Sequence, residues 1–297
     1  LCWRSCKPGC PGSLDLGWEN SRMDFFSLFD LCIALLYFLG SLIYVAGILG
    51  YKPELRQASL VMTLVGFGLH TVDLVLKVST ESMFSFAQLQ FYFSLLAWSF
   101  LLMYLILWWR LKLQFLALTA APLALVLFTS SMVVQETQMP IPPRLSELWF
   151  GLHIGSLFLS IALLAMAFGA GVGYLYLHRQ IKNKVRLSQM RKDFPALTSL
   201  DRVNHWAVSL GFPLFTVGML SGFIWARFTW GEIFSWDPKE IFSLGIWLMF
   251  AYLFHQRLLL SLKGRRPAIL AITIFGLSIA SLLIINFYFP THHSFKP

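Results

Sequence analysis

Five of the seven histidines in this chain fall at two depths along long apolar stretches. His153 stands at the start of one stretch, and His292 and His293 follow the end of the last. His70 sits mid-stretch in Gly68-Leu69-His70-Thr71. His255 lies about 14 residues into another stretch, roughly 21 Å if that stretch is helical. A single histidine in such a place is more often a hydrogen-bonded polar residue between helices than a ligand. Two pairs at two depths instead suit a planar metal porphyrin, whose iron takes axial imidazoles from opposite faces. His178 and His205 flank a polar loop and read as polar residues at helix ends.

A second cluster runs Trp225-Ala-Arg-Phe-Thr-Trp230-Gly-Glu-Ile-Phe234-Ser-Trp236-Asp237-Pro238-Lys239-Glu240. Membrane proteins commonly carry tryptophan belts at the interface. Here, however, charges and a proline share the space with the rings, and such a surface can stack a flat macrocycle. Pro238 is placed to open the next helix as a first-turn proline.

These residues must be held by a membrane bundle. The chain has 297 residues, 57% of them hydrophobic and only 12% charged, and its mean hydropathy is +0.68. Soluble folds carry about 25% charged residues. Apolar runs of about 20 residues, long enough to cross a core of about 30 Å, recur along the whole length. The expected fold is all-α, a polytopic membrane helical bundle of about eight helices over 25–49, 58–77, 89–109, 113–132, 149–177, 205–227, 241–261 and 268–289.

Orientation follows from the basic residues. One set of loops holds Lys52, Arg56, Arg110, Lys112, Arg179, Lys182, Lys184, Arg186, Arg191, Lys192, Arg202, Arg257, Lys263, Arg265 and Arg266. The other has only Lys77, Arg144, Arg227, Lys239 and Lys296, apart from the N-terminal tail. The positive-inside rule assigns the first set to the cytoplasm, leaving both termini, His153, residues 225–240 and the C-terminal histidines outside. The net charge of +9 is thus an orientation signal, and no nucleic-acid partner is expected.

Cys2, Cys6 and Cys10 have no common zinc spacing, and no cysteine follows Cys32. Residues 1–22 read as a poorly structured tail, with translation expected to begin at Met23 and a single domain spanning 23–297.

The residues quoted above carry a resemblance to the CcsA/ResC family, the membrane subunit of the System II cytochrome c synthetase, within the group of heme-handling proteins that includes CcmC, CcmF and HemX. It covers most of residues 25–297 and is densest from Leu197 onward. It rests on Leu200-Asp201-Arg202, Gly211-Phe212-Pro213, the tryptophan-rich "WWD" segment 225–240, His255-Gln256-Arg257 and His293-Ser294. His153 falls at the family's first outer histidine, and His70 matches a histidine of helix two in short members. Phe234 replaces the usual middle Trp, which keeps a stacking face and loses an N–H donor. Ile241-Phe242 stands where a Trp is usual, and the doubled His292-His293 leaves open which of the two would be the ligand.

The resemblance implies that the chain binds heme b in a bacterial inner (cytoplasmic) membrane and presents it on the extracytoplasmic side for attachment to apocytochrome c. His70 and His255 would hold the iron at the inner level, and His153 and His293 at the outer. Trp225, Trp230, Phe234, Trp236 and Asp237 would line the outer site, with Arg227, Lys239 or Arg144 near the propionates. The chain has no nucleophile–base arrangement of its own, and the reactive groups would belong to heme and substrate. A CcsB/ResB-like partner is implied, since the outer loops are short. The alternative is a HemX-like regulator that binds heme, or a heme-synthesis enzyme through the basic loop 178–204, without attaching anything. A transporter unrelated to heme would be expected to carry acidic residues deep in the membrane, and Asp73 is the single candidate.

Overall fold

The computed structural model describes the backbone of residues 12–80, 89–133, 144–183 and 195–282, and side chains within them except at 12–26, 80, 89, 144–147, 150 and 230. Among the described residues there are eight α-helices and no strand: α1 (Gly12–Leu49), α2 (Pro53–Thr80), α3 (Leu89–Leu111), α4 (Ala117–Val133), α5 (Arg144–Lys182), α6 (Leu197–Trp230), α7 (Pro238–Leu258) and α8 (Arg265–Ala280). Helices α1 to α7 are long and apolar enough to cross a membrane. The chain is therefore a multi-pass membrane protein. Helix α8 is described over 16 residues, a rise of about 24 Å, and residues 283–297 lie outside the described part.

All eight expected helices are present, and most are longer than hydropathy indicates. Helix α5 extends the expected 149–177 by a turn or more at each end, and α6 begins near 197 rather than 205. Hydropathy reports only the apolar stretch, whereas backbone pairing continues into the polar boundary. Residues 12–22, expected in a poorly structured tail, continue α1 as helix. Helices α2 and α7 open on Pro53 and Pro238, where a missing N–H costs nothing.

Consecutive helices pair as antiparallel hairpins, and α5 lies at the centre, packed on α3, α4, α6 and α8. Its middle is the unbroken buried run Ala162-Leu163-Leu164-Ala165-Met166-Ala167, followed by buried Ala170. Lipid tails are as apolar as leucine, so burial alone gives membrane helices little reason to associate; small side chains let them pack closely instead. Among the described helices, the interface between α5 and α6 is the most extensive.

At the end of α6 expected to face the cytoplasm, α6, α7 and the α7–α8 turn are clamped by one ion pair. The Arg257 guanidinium donates to both Asp201 carboxylate oxygens at 2.9 and 3.2 Å, to the Asp201 carbonyl at 2.7 Å and to the Leu262 carbonyl at 2.8 Å. Asp201 also accepts from the Gly264 N–H at 2.9 Å. The Arg257 side chain is 2% exposed. Removing the carboxylate strands a buried cation, so Asp201→Ala is expected to cost about 3–5 kcal/mol in unfolding of the detergent-solubilised protein. Unchanged stability would show that the clamp is incidental.

Candidate functional site

His153 lies half-buried in the first turns of α5, against α6. Its Nδ1 is 2.7 Å from the Gly218 carbonyl oxygen. A carbonyl only accepts, so Nδ1 carries the proton and donates it, which fixes the tautomer with a lone pair on Nε2. Nε2 has no hydrogen-bond partner among the described residues. A metal-ligating histidine is commonly oriented in this way, with one ring nitrogen anchored and the other free.

The anchoring depends on closeness of the two helices. A Cβ at Gly222 would sit 2.6 Å from His153 Cε1, so only glycine lets the ring approach α6 this closely. One turn along, Leu157 packs over Gly218 and Ser156 donates to the Leu152 carbonyl of its own helix. Further along still, Ser160 donates to the Gly211 carbonyl at 2.8 Å. Residues 153, 156, 157 and 160 share one face of α5, and 211, 218 and 222 share one face of α6.

Beyond α6 the chain turns at Gly231, with φ +80°, a conformation that costs glycine nothing. Asp237 then caps α7. Its carboxylate accepts from the Lys239 N–H at 2.8 Å, while Glu240 reaches back to the Asp237 N–H at 3.3 Å, completing a capping box. Glu240 also accepts from the Ser235 N–H at 2.8 Å and hydroxyl at 3.1 Å. Between these contacts Trp236 is held at φ +60°, uncommon for a non-glycine residue, at a cost of about 1–2 kcal/mol. The ring is left 76% exposed and edge-on to Phe234, with centroids 5.1 Å apart. Phe234 in turn meets Phe223, the neighbour of Gly222. Lys239 lies within electrostatic reach of His153. The aromatic segment is thereby tied to the helix that backs His153.

Trp225 is buried in α6 and Arg227 is exposed. Asp237 is buried and its carboxylate is engaged as a helix cap. Trp230 ends α6, but its side chain, that of Arg144, and the whole of His292 and His293 lie outside the described residues.

The inner histidines are not brought together. His70 is fully buried, with Nδ1 3.0 Å from the Tyr37 hydroxyl of α1, Nε2 2.8 Å from the Ser94 hydroxyl of α3, and Phe128 of α4 edge-on at 4.6 Å. Both ring nitrogens are engaged, so ligation by His70 would require one hydroxyl to leave. His255 is exposed on α7, which packs on α6 and α8, whereas α2 packs on α1 and α3.

Sequence reasoning missed Gly218, Gly222 and the partners of His70, and it quoted Glu240 without assigning it a role. The Glu240 signal was present, an acidic residue three after a capping Asp, and so was the small-residue spacing on α6. The backbone acceptor of Gly218 has no sequence signal.

Two outcomes follow. Gly222→Leu is expected to displace the His153 ring and lower unfolding stability by about 1–3 kcal/mol, as overpacking does. Glu240→Ala is expected to raise amide hydrogen exchange over 235–241 about tenfold, about 1.4 kcal/mol of lost local protection. Exchange unchanged there would mean that Glu240 does not hold the turn.

Comparison with known proteins supplies the family. Residues 86–293 match the model of the family described as cytochrome C assembly protein. A protein of Pyropia yezoensis named "Cytochrome c biogenesis protein CcsA" is 29% identical over 93% of this chain and 97% of its own length. One of the same name from Guillardia theta is 30% identical over 67% of this chain and 72% of its own. One from Synechococcus elongatus is 43% identical over 33% of this chain and 30% of its own. With the match running from before α3 to beyond α8 and taking in His153 and the tryptophan-rich segment, the chain belongs to the cytochrome C assembly protein family, among the CcsA-type proteins.

Proposed function

We propose that the protein acts in cytochrome c maturation by binding heme b at the outer end of α5 and α6 and presenting it for covalent attachment to apocytochrome c. The observation that carries this reading is the anchored His153, whose Nδ1–H is committed to the Gly218 carbonyl and whose Nε2 remains a donor for iron. The exposed Trp236 ring, braced by Phe234, offers a stacking face in the segment that follows α6. Arg227 and Lys239 are cations within the same segment, suited to propionates. His293, or its neighbour His292, would offer a further imidazole to the iron.

Heme supplies the vinyl groups to which the two thiols of an apocytochrome Cys-x-x-Cys-His motif add as thioethers. The chain's own part would be to hold and orient: His153 would hold the iron end, and the rings of 225–236 would steady the macrocycle. Asp237 acts here through the turn that it caps, because its carboxylate already serves α7. On this reading the lipid bilayer would be a bacterial inner membrane; the distribution of Lys and Arg among the loops supports only the orientation, with the site on the side away from the basic loops, there the periplasm. A CcsB/ResB-like subunit would complete recognition of the apocytochrome. Use of His70 and His255 as a second, inner site would require His70 to exchange Tyr37 or Ser94 for iron.

The test is co-expression with that partner and a reporter c-type cytochrome, read as covalently bound heme on a denaturing gel. His153→Ala and His293→Ala are each expected to lower holocytochrome at least tenfold, and Trp236→Ala severalfold, at unchanged levels of the membrane protein. Full yield from His153→Ala would overturn the proposal.

A further inference from the structure

Away from the histidine and tryptophan cluster, two acids and one lysine meet between α1 and α2. Lys77 Nζ lies 2.8 Å from an Asp73 oxygen and 3.1 and 3.2 Å from the two Asp30 oxygens. The Lys77 and Asp30 side chains are 26% and 19% exposed, so water reaches the cluster from that end of the hairpin. Asp73 is fully buried, and apart from the Lys77 ammonium neither of its oxygens meets a donor among the described residues.

If every group were ionised, two carboxylates would face one ammonium among the described residues. The cluster would then carry an uncompensated negative charge, with a carboxylate oxygen sealed from water and lacking a hydrogen bond. Both are unfavourable in a low-dielectric interior. One proton removes both faults. It cancels the excess charge, and as an O–H donor it can bridge the two carboxyl groups, as in other carboxylate pairs that share a site.

We propose that Asp30 and Asp73 together bind one exchangeable proton beside Lys77, as a site open to the extracytoplasmic side on the orientation given above. The proton is taken from water at that end and returned to it, and no electrons move. Among the described residues, the titratable groups facing Asp73 are Asp30 and Tyr37 on α1 and His70 and Lys77 on α2; α3 contributes the Ser94 hydroxyl, which is bonded to His70. His70 lies one helical turn further in on the same face of α2, tied to Tyr37. The site therefore lets the outer pH set a charge next to the buried Tyr37–His70–Ser94 chain, a role that the heme reading does not require.

Infrared spectroscopy of the full chain in lipid nanodiscs tests this directly. At neutral pH the protein is expected to show the C=O stretch of a protonated carboxylic acid, downshifted in D2O. The band should be lost in Asp73→Asn and equally in Asp30→Asn, since either change leaves one carboxylate for one ammonium, and it should persist in the exposed control Glu232→Gln. No such band in the wild type, or one that survives both substitutions, overturns the proposal. So does a band that is absent in sodium buffer and appears in choline buffer, because a metal cation would then hold the site. If neither Asn variant can be purified, the wild-type band must still vanish reversibly at alkaline pH, and one that does not titrate overturns the proposal. None of these readouts depends on heme.

Discussion

Helices α5 and α6 lie close enough for a side chain of one to donate to the backbone of the other, and the placing of the site depends on that approach. His153 and Ser160 each reach a carbonyl of α6, at Gly218 and Gly211. In a helix those carbonyls are already engaged along the axis, so a side chain can add to them only where no Cβ stands in the way. Gly222 leaves that room beside His153. In lipid, a polar group buried without a partner is costly, so each such bond also fixes the register of the two helices. Position and tautomer of His153 are thus one consequence of one interface.

The same economy governs the other polar residues. The family motif residues Asp201 and Arg257 lock the opposite end of α6 to α7, so that the exposed His255, two residues before Arg257, rides on a clamped helix. Asp237 and Glu240 spend their charge on the N–H groups of the α7 start and on the turn that projects Trp236. Much of the tryptophan-rich segment is therefore scaffold, and the part left for a ligand is the aromatic surface itself. The Phe234 substitution fits this division: its work is to brace Phe223 and Trp236 edge-on, which needs a ring and no donor.

Eight helices and their order were legible in the sequence because lipid demands long apolar runs, and Pro238 marked the α7 start through its own geometry. Helix ends were not legible, since hydropathy is silent once a helix leaves the apolar layer; α5 and α6 overrun their expected limits for that reason. His153 was found by residue type and position, yet its anchor was not, because a backbone carbonyl is the same at every residue. Matching depth along two helices suggested that His70 and His255 face one another. Depth is only one coordinate, and the lateral packing of α2 on α1 and α3 puts Tyr37 and Ser94 beside His70 instead. The Asp201–Arg257 pair stood within two quoted motifs, but a separation of 56 residues hid the contact.

The most direct test of the central claim, that Nε2 of His153 is held ready as an iron ligand, is the visible absorption spectrum of the detergent-purified protein from heme-replete cells beside that of His153→Ala. The account predicts a bis-imidazole heme spectrum in the wild type that weakens or changes its ligation in the variant. A wild type that carries no heme, or a variant with an unaltered spectrum, would contradict it.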